Sequence, residues 1–117
     1  MRVTIYGLKN CDTCRKAVKD VEAAGLSHQF VDIRAEADNA VQVPKWLDAV
    51  GSKALVNTRS TTWRNMSDEE RSMAETDPAG ALISSPTLIK RPVIEAGQDV
   101  HVGWSASTLD ALKIAAE

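Results

Sequence analysis

What this chain lacks narrows its chemistry before any motif is read. It carries two cysteines and two histidines, His28 and His101, in 117 residues. Tetrahedral zinc takes four nitrogen or sulfur ligands, so a zinc site would consume all four of these side chains. The charge is nearly balanced, with a formal net of -2, which gives no electrostatic footprint for direct nucleic-acid binding or for an anionic membrane. No apolar run approaches the length of a membrane-spanning helix, and Met1-Arg2 leads into a strand without a signal-peptide core. The expectation is a cytoplasmic protein. Linkers, internal repeats and low-complexity tracts are also absent, and the length suits one domain with one core.

What is present is a Cys-x-x-Cys, Cys11-Asp12-Thr13-Cys14, placed directly after the apolar strand Val3-Thr4-Ile5-Tyr6 and directly before an amphipathic helix. The thiolate is the reactive form of cysteine, and free N–H groups in a first helical turn, with the positive end of the helix dipole, favour it. Position therefore selects Cys11 as nucleophile. Cys14 falls one turn further in, placed to attack a mixed disulfide on Cys11 and release the partner. Lys9 and Arg15 add positive charge near the motif, while Asp12 opposes them. Three other uses of such a pair stay open from the residues alone: half of a zinc site, a structural disulfide, or two inert buried thiols. The first is short of ligands. A bridge across so short a loop constrains the unfolded chain little, and a reducing compartment favours a catalytic or redox-sensing pair.

Along the chain, Cys14, Ala17/Val18, Val21 and Ala24 form one apolar stripe that Gly25 ends. Gln29–Ile33 reads as a second strand, parallel to the first through a right-handed crossover. Between Arg34 and Pro86 the signals are helical. Pro44 is expected close to a helix start, Ser67-Asp68-Glu69-Glu70 matches a capping box, and Asp77-Pro78 reads as an N-cap with proline at the first helical position. A hairpin is expected next, with strands Leu88–Ile94 and Val100–Gly103 about a turn near Gly97, and Pro92 is a candidate cis proline. Ser105 or Ser107 caps a last helix that packs Leu109 and Leu112 inward. The expected class is α/β: a thioredoxin-like, glutaredoxin-type mixed sheet in one domain, 1–117, with a helical insertion at about 36–86.

Several matched segments in order carry a resemblance to a known family. Tyr6-Gly7-Leu8-Lys9-Asn10-Cys11-Asp12-Thr13, Ala54 through Arg64, Ile89-Lys90-Arg91-Pro92 and Val102-Gly103-Trp104 resemble the ArsC family, which includes glutaredoxin-linked arsenate reductases, Spx and YffB, and most closely its YffB-type branch. The resemblance implies a thioredoxin-like sheet with an inserted helical subdomain, Cys11 as catalytic cysteine, and Arg91-Pro92 at the head of the third strand with the proline cis. Arg91 joins Cys11 and Cys14 as a catalytic residue, and Lys9, Asn10, Arg59, Arg91 and Pro92 are the expected substrate-binding set. Asn57 takes the strictly aligned place of the arginine that Arg59 falls near. A third arginine of the arsenate reductases is missing, its segment reading His101-Val102-Gly103-Trp104. Because a multiply charged oxyanion needs several convergent charge-assisted donors, the expectation is thiol-disulfide chemistry with glutathione as reductant or co-substrate and no bound cofactor or metal. A glutaredoxin- or thioredoxin-type donor is the other source of electrons. Arsenate reduction is the alternative, and an Spx-like regulator binding the RNA polymerase α subunit is a further one.

Overall fold

The computed structural model describes residues 2–116; Met1 and Glu117, the first and last residues of the expected domain, lie outside the described residues. Contacts divide the chain into two compact units, one formed by the segments up to Ala37 and from Arg91 onward, the other by Asp38–Lys90.

The first unit is a four-stranded mixed sheet in the order β2-β1-β3-β4. β1 (Val3–Gly7) pairs in parallel with β2 (His28–Asp32), Ile5 opposite Phe30. Helix α1 (Asp12–Ala23) makes the crossover between them. On its other side β1 pairs antiparallel with β3 (Val93–Ala96), which turns through Gly97-Gln98 into β4 (Asp99–Val102). The last helix of the chain (Ala106–Ala116) starts at Ser105, whose hydroxyl accepts the Thr108 N–H at 3.2 Å. Parallel β1–β2 followed by an antiparallel hairpin on the other side of β1 is the thioredoxin-like arrangement.

Alternation along the strands separates the two faces of this sheet. Val3, Ile5, Ile94 and Ala96 share a core with Val21 of α1 and Leu112 of the last helix, with Phe30, Trp104 and Leu109 packed around it. The opposite face carries polar pairs: the Tyr6 hydroxyl donates to Glu95 Oε1 at 3.3 Å, and Gln29 Nε2 donates to Thr4 Oγ1 at 3.1 Å.

The second unit is helical. α2 (Asn39–Val50) is followed by two short helices, α3 (Ser52–Leu55) and α4 (Thr61–Arg64), then α5 (Asp68–Thr76) and α6 (Pro78–Ser84). The last helix of the chain is therefore α7. Side-chain caps set the starts of α4, α5 and α6: Ser60 accepts from Trp63 N–H, Ser67 and Glu70 form the reciprocal capping box, and Asp77 accepts from Gly80 N–H with Pro78 in the first turn. α6 packs against α2 and α5.

Two expectations are corrected. Pro44 lies inside α2, whose first residue is Asn39, so the helix starts well before the proline. A proline there leaves the Ala40 carbonyl without its helical donor, and both Ala40 and Pro44 are on the exposed side of the helix. The strand expected over Leu88–Ile94 is broken up. Pro86–Leu88 is a 3₁₀ turn, Ile89 makes a single bridge with Val56, and the ladder begins only at Val93. A proline cannot donate to a ladder, and Pro92 marks the point where the chain passes into the sheet.

Candidate active site

α1 has an unusual first residue. Its N-cap is Cys11, in extended conformation, with its carbonyl accepting the Arg15 N–H at 3.0 Å and its own N–H closing the Leu8 turn at 3.2 Å. Serine, threonine, aspartate or asparagine would fill an N-cap with an oxygen acceptor. Here a sulfur stands in that place and makes no capping hydrogen bond as a neutral thiol. The first-turn N–H groups are thus left to the charged form.

The two cysteines are both thiols, Cys11 half-buried and Cys14 fully buried. Their environments push them apart. Burial raises the Cys11 pKa, but the N–H and the S–H of Cys14, then the Arg91 guanidinium as charge and as hydrogen-bond donor, outweigh it, and the thiol lies below its ordinary value. For Cys14 burial dominates. Although the Leu8 backbone works the other way, the neighbouring Cys11 adds to the rise, and Cys14 is pushed up to about 12. One sulfur is therefore prepared as a nucleophile, while its neighbour is kept protonated as a donor to it.

Cys14 reaches this position because Gly7 ends β1. A Cβ built on Gly7 would overlap the Cys14 sulfur, so only glycine lets the helix lie this close to the strand. In the sequence Gly7 reads only as a strand terminator, and its contact with Cys14 is visible only once helix and strand are packed.

Arg91 and Pro92 head β3 in the same unit, and their peptide bond is cis. The Pro92 carbonyl accepts the Gly103 N–H at 2.8 Å, which ties the turn after β4 to the turn before β3. Lys9 and Asn10 are exposed in the turn that leads into Cys11. Asp12 and Arg15 form an ion pair on the α1 surface, so their opposed charges are spent largely on each other. His101, in β4 opposite Ile94, is half-buried.

Arg59 belongs to the second unit. It is exposed in the turn after α3, where its N–H donates to Asn57 Oδ1 at 3.1 Å. The first unit therefore brings together Cys11, Cys14, Arg91 and Pro92 from the expected set, with Lys9 and Asn10 beside them in the chain.

Trp104 is a part of the site that sequence reasoning did not assign. Its indole N–H donates to Asp20 Oδ2 at 2.9 Å, a bond between residues 84 positions apart. With Asp12, Thr13, Lys16, Ser105 and Leu109 it lines an open groove of about 590 Å³ along α1. Among the described residues no three histidine, cysteine, aspartate or glutamate side chains are grouped to hold a metal ion. No described helix is long and apolar enough to cross a membrane.

Comparison with known proteins agrees with this geometry. A protein of Haemophilus influenzae with no assigned function is 34% identical over 110 residues, 93% of this chain and 96% of that protein. The solved structure of a YffB protein superposes with a TM-score of 0.85 at 27% identity, covering 97% of both chains. The solution structure of an arsenate reductase (ArsC) related protein from Brucella melitensis gives a TM-score of 0.73 at 35% identity, covering 95% of this chain and 93% of that one. The model of the ArsC family matches residues 6–112. With the cysteine pair at the head of α1 and Arg91-Pro92 at the head of β3, the chain belongs to the ArsC family.

Proposed function

We propose that this protein is a cytoplasmic thiol-disulfide oxidoreductase, a glutathione-linked thiol reductase with Cys11 as nucleophile and Cys14 as resolving cysteine. The observation that carries this reading is the opposite displacement of the two thiols, one lowered at the open N-terminus of α1 beside Arg91 and the other raised by burial. The Cys11 thiolate attacks one sulfur of a disulfide, ideally a glutathione mixed disulfide, and the other sulfur departs as a thiolate that takes a proton from water. Cys14 then loses its proton and attacks the Cys11 sulfur, which forms the Cys11–Cys14 disulfide and expels the second thiol. Two glutathione thiols, or one dithiol donor of the glutaredoxin or thioredoxin type, supply the two electrons that reduce it.

Arg91 serves this cycle twice. It favours the attacking thiolate, and its planar donor fork suits a glutathione carboxylate. Pro92 holds the substrate against Cys11, with Lys9 and Asn10 as further contacts.

Arsenate reduction is the second reading, supported by the 35% identity with the arsenate reductase related protein. The chain's own residues weigh against it, because Arg91 has no arginine to partner it at His101-Val102-Gly103-Trp104.

The deciding experiment is NADPH consumption coupled through glutathione and glutathione reductase, with a glutathione mixed disulfide and arsenate run side by side, wild type against Cys11→Ser and Arg91→Met. Turnover of the disulfide alone, lost in Cys11→Ser, is expected. In Arg91→Met, removal of a cation beside the thiolate raises the Cys11 pKa, and turnover at neutral pH falls about tenfold. Arsenate turnover would establish the second reading. Silence with both substrates would overturn the enzyme readings in favour of a redox-switched regulator of the Spx kind, to be tested by binding to the RNA polymerase α subunit.

A further inference from the structure

The two halves of the site come from opposite ends of the first unit's sequence. Cys11 and Cys14 ride on α1, whereas Arg91 and Pro92 precede β3. Besides the β1–β3 pairing, a second link joins them through two hydrogen bonds and the turn between these. The Pro92 carbonyl is held by the Gly103 N–H at 2.8 Å. Gly103, with φ at +83°, turns the chain sharply after β4 and delivers Trp104. The Trp104 indole N–H then donates to the Asp20 carboxylate on α1 at 2.9 Å. Asp20 is itself braced by Lys16 Nζ at 3.0 Å on the preceding helical turn.

We infer that Trp104 is a positioning residue: through Asp20 it fastens the turn that carries Pro92 to the helix that carries Cys11, and so holds Arg91 where it favours the Cys11 thiolate. The indole suits this role. Its ring packs against the apolar core between α1 and α7, and it is a donor only, so the partner at its edge must be an acceptor. Asp20 meets that demand on an otherwise cationic stretch with Lys16 and Lys19, and the Trp104 hydrogen bond is first among the causes that hold its carboxyl below the ordinary range. The inference rests on the reading of Cys11 as the reacting thiol, but not on any particular substrate.

The sign of the effect separates positioning from simple electrostatics. Asp20 lies nine residues along the helix from Cys11, about 13 Å by helical rise. At that distance in salt its charge acts weakly on the thiol, and removing an anion would lower the Cys11 pKa. Release of the clamp acts the other way. If Arg91 loses part of its hold, the Cys11 pKa rises.

The test is the rate of iodoacetamide alkylation of Cys11 against pH, well below the melting temperature, for wild type, Trp104→Phe, Asp20→Ala and Asp20→Asn, with circular dichroism as the check on folding. Trp104→Phe keeps a ring and removes the N–H. Asp20→Asn removes the charge and keeps an acceptor. Trp104→Phe and Asp20→Ala are expected to move the midpoint upward by about half a pH unit, which slows alkylation at neutral pH about threefold, while Asp20→Asn stays near wild type. A wild-type profile in folded Trp104→Phe would overturn the inference. Equal upward shifts in Asp20→Asn and Asp20→Ala would also overturn it, and this pair decides the matter if Trp104→Phe does not fold. Alkylation needs no disulfide substrate, so a wild-type protein that turns over nothing would count against the proposed function and leave this inference standing.

Discussion

The two units put different residues at the heads of their helices. In the helical unit, Ser60, Ser67 and Asp77 each place an oxygen on the free N–H groups of the helix they begin, while Asp38 and Gly51, at the heads of α2 and α3, make no side-chain cap. In the sheet unit α7 is capped in the same manner by Ser105, but α1 begins with a cysteine that makes no capping hydrogen bond. Titration follows the same division. Cys11, Cys14 and Tyr6, the thiols and phenol displaced from their ordinary values, all belong to the sheet unit. In the helical unit Glu70 is lowered by the Ser67 N–H and hydroxyl of its capping box. What sets α1 apart is not an open terminus, which α2 and α3 share, but a sulfur standing at it beside Arg91.

The largest effect that sharpens this contrast is in the helical unit. Trp46 in α2 is fully buried, and Trp46→Ala should cost about 3–5 kcal/mol, read from urea unfolding. A loss below about 1 kcal/mol would mean that capping rather than packing holds this unit.

Next in size is the response to alkali. Cys14 keeps its proton in the fold up to about 12, against 9.0 as an ordinary thiol, and Tyr6 up to about 12, against 10.0. Between those values the unfolded chain has already released protons that the fold still binds, so stability falls as pH rises from about 9. Cys14→Ala should flatten the first part of that fall and Tyr6→Phe the later part. An unchanged slope in both would refute the burial account of these groups.

Gly7→Ala should cost about 1–3 kcal/mol by overpacking against the Cys14 sulfur. In the Cys14→Ala background the same change should cost much less, because the sulfur is gone. Additive losses would show that the close approach is not the reason for the glycine.

The smallest pair of effects tests the caps themselves. Ser67→Ala should destabilise by about 1 kcal/mol, since it removes the hydroxyl that accepts the Glu70 N–H. Cys11→Ser should do the reverse, with stability equal to wild type or higher by up to about 1 kcal/mol, because serine is a favoured N-cap. Thiol chemistry would be lost in the same variant. A destabilised Cys11→Ser would break the distinction drawn between the two units.

How much of this was readable in the sequence depended on the range of the interaction. The capping box at Ser67, the Asp77-Pro78 start and the strand-to-helix setting of Cys11 rest on contacts a few residues apart and are found where the pattern put them, and of the two serines offered as cap of the last helix the structure uses Ser105. Pro44 misled because its local penalty is overridden by the buried faces of Val43 and Trp46 in the same helix. Leu88–Ile94 has a strand-like composition, but the residues before Val93 bond to the segment after α3, with Lys90 N–H to Leu55 O at 2.8 Å and Asn57 N–H to Leu88 O at 2.9 Å. Gly7 against Cys14, Tyr6 against Glu95 and Trp104 against Asp20 join distant parts of the chain or packed elements. No local pattern of the sequence reveals them.

The sulfur at the head of α1 also bears on redox poise. A helix terminus and a guanidinium can stabilise a thiolate, but they gain nothing from a disulfide, which carries no charge. Above the Cys11 pKa, therefore, every tenfold gain in thiolate preference stabilises only the reduced protein and raises its two-electron potential by about 30 mV. In the proposed cycle, the cap that a serine would have filled for stability instead shifts the Cys11–Cys14 couple toward its reduced form.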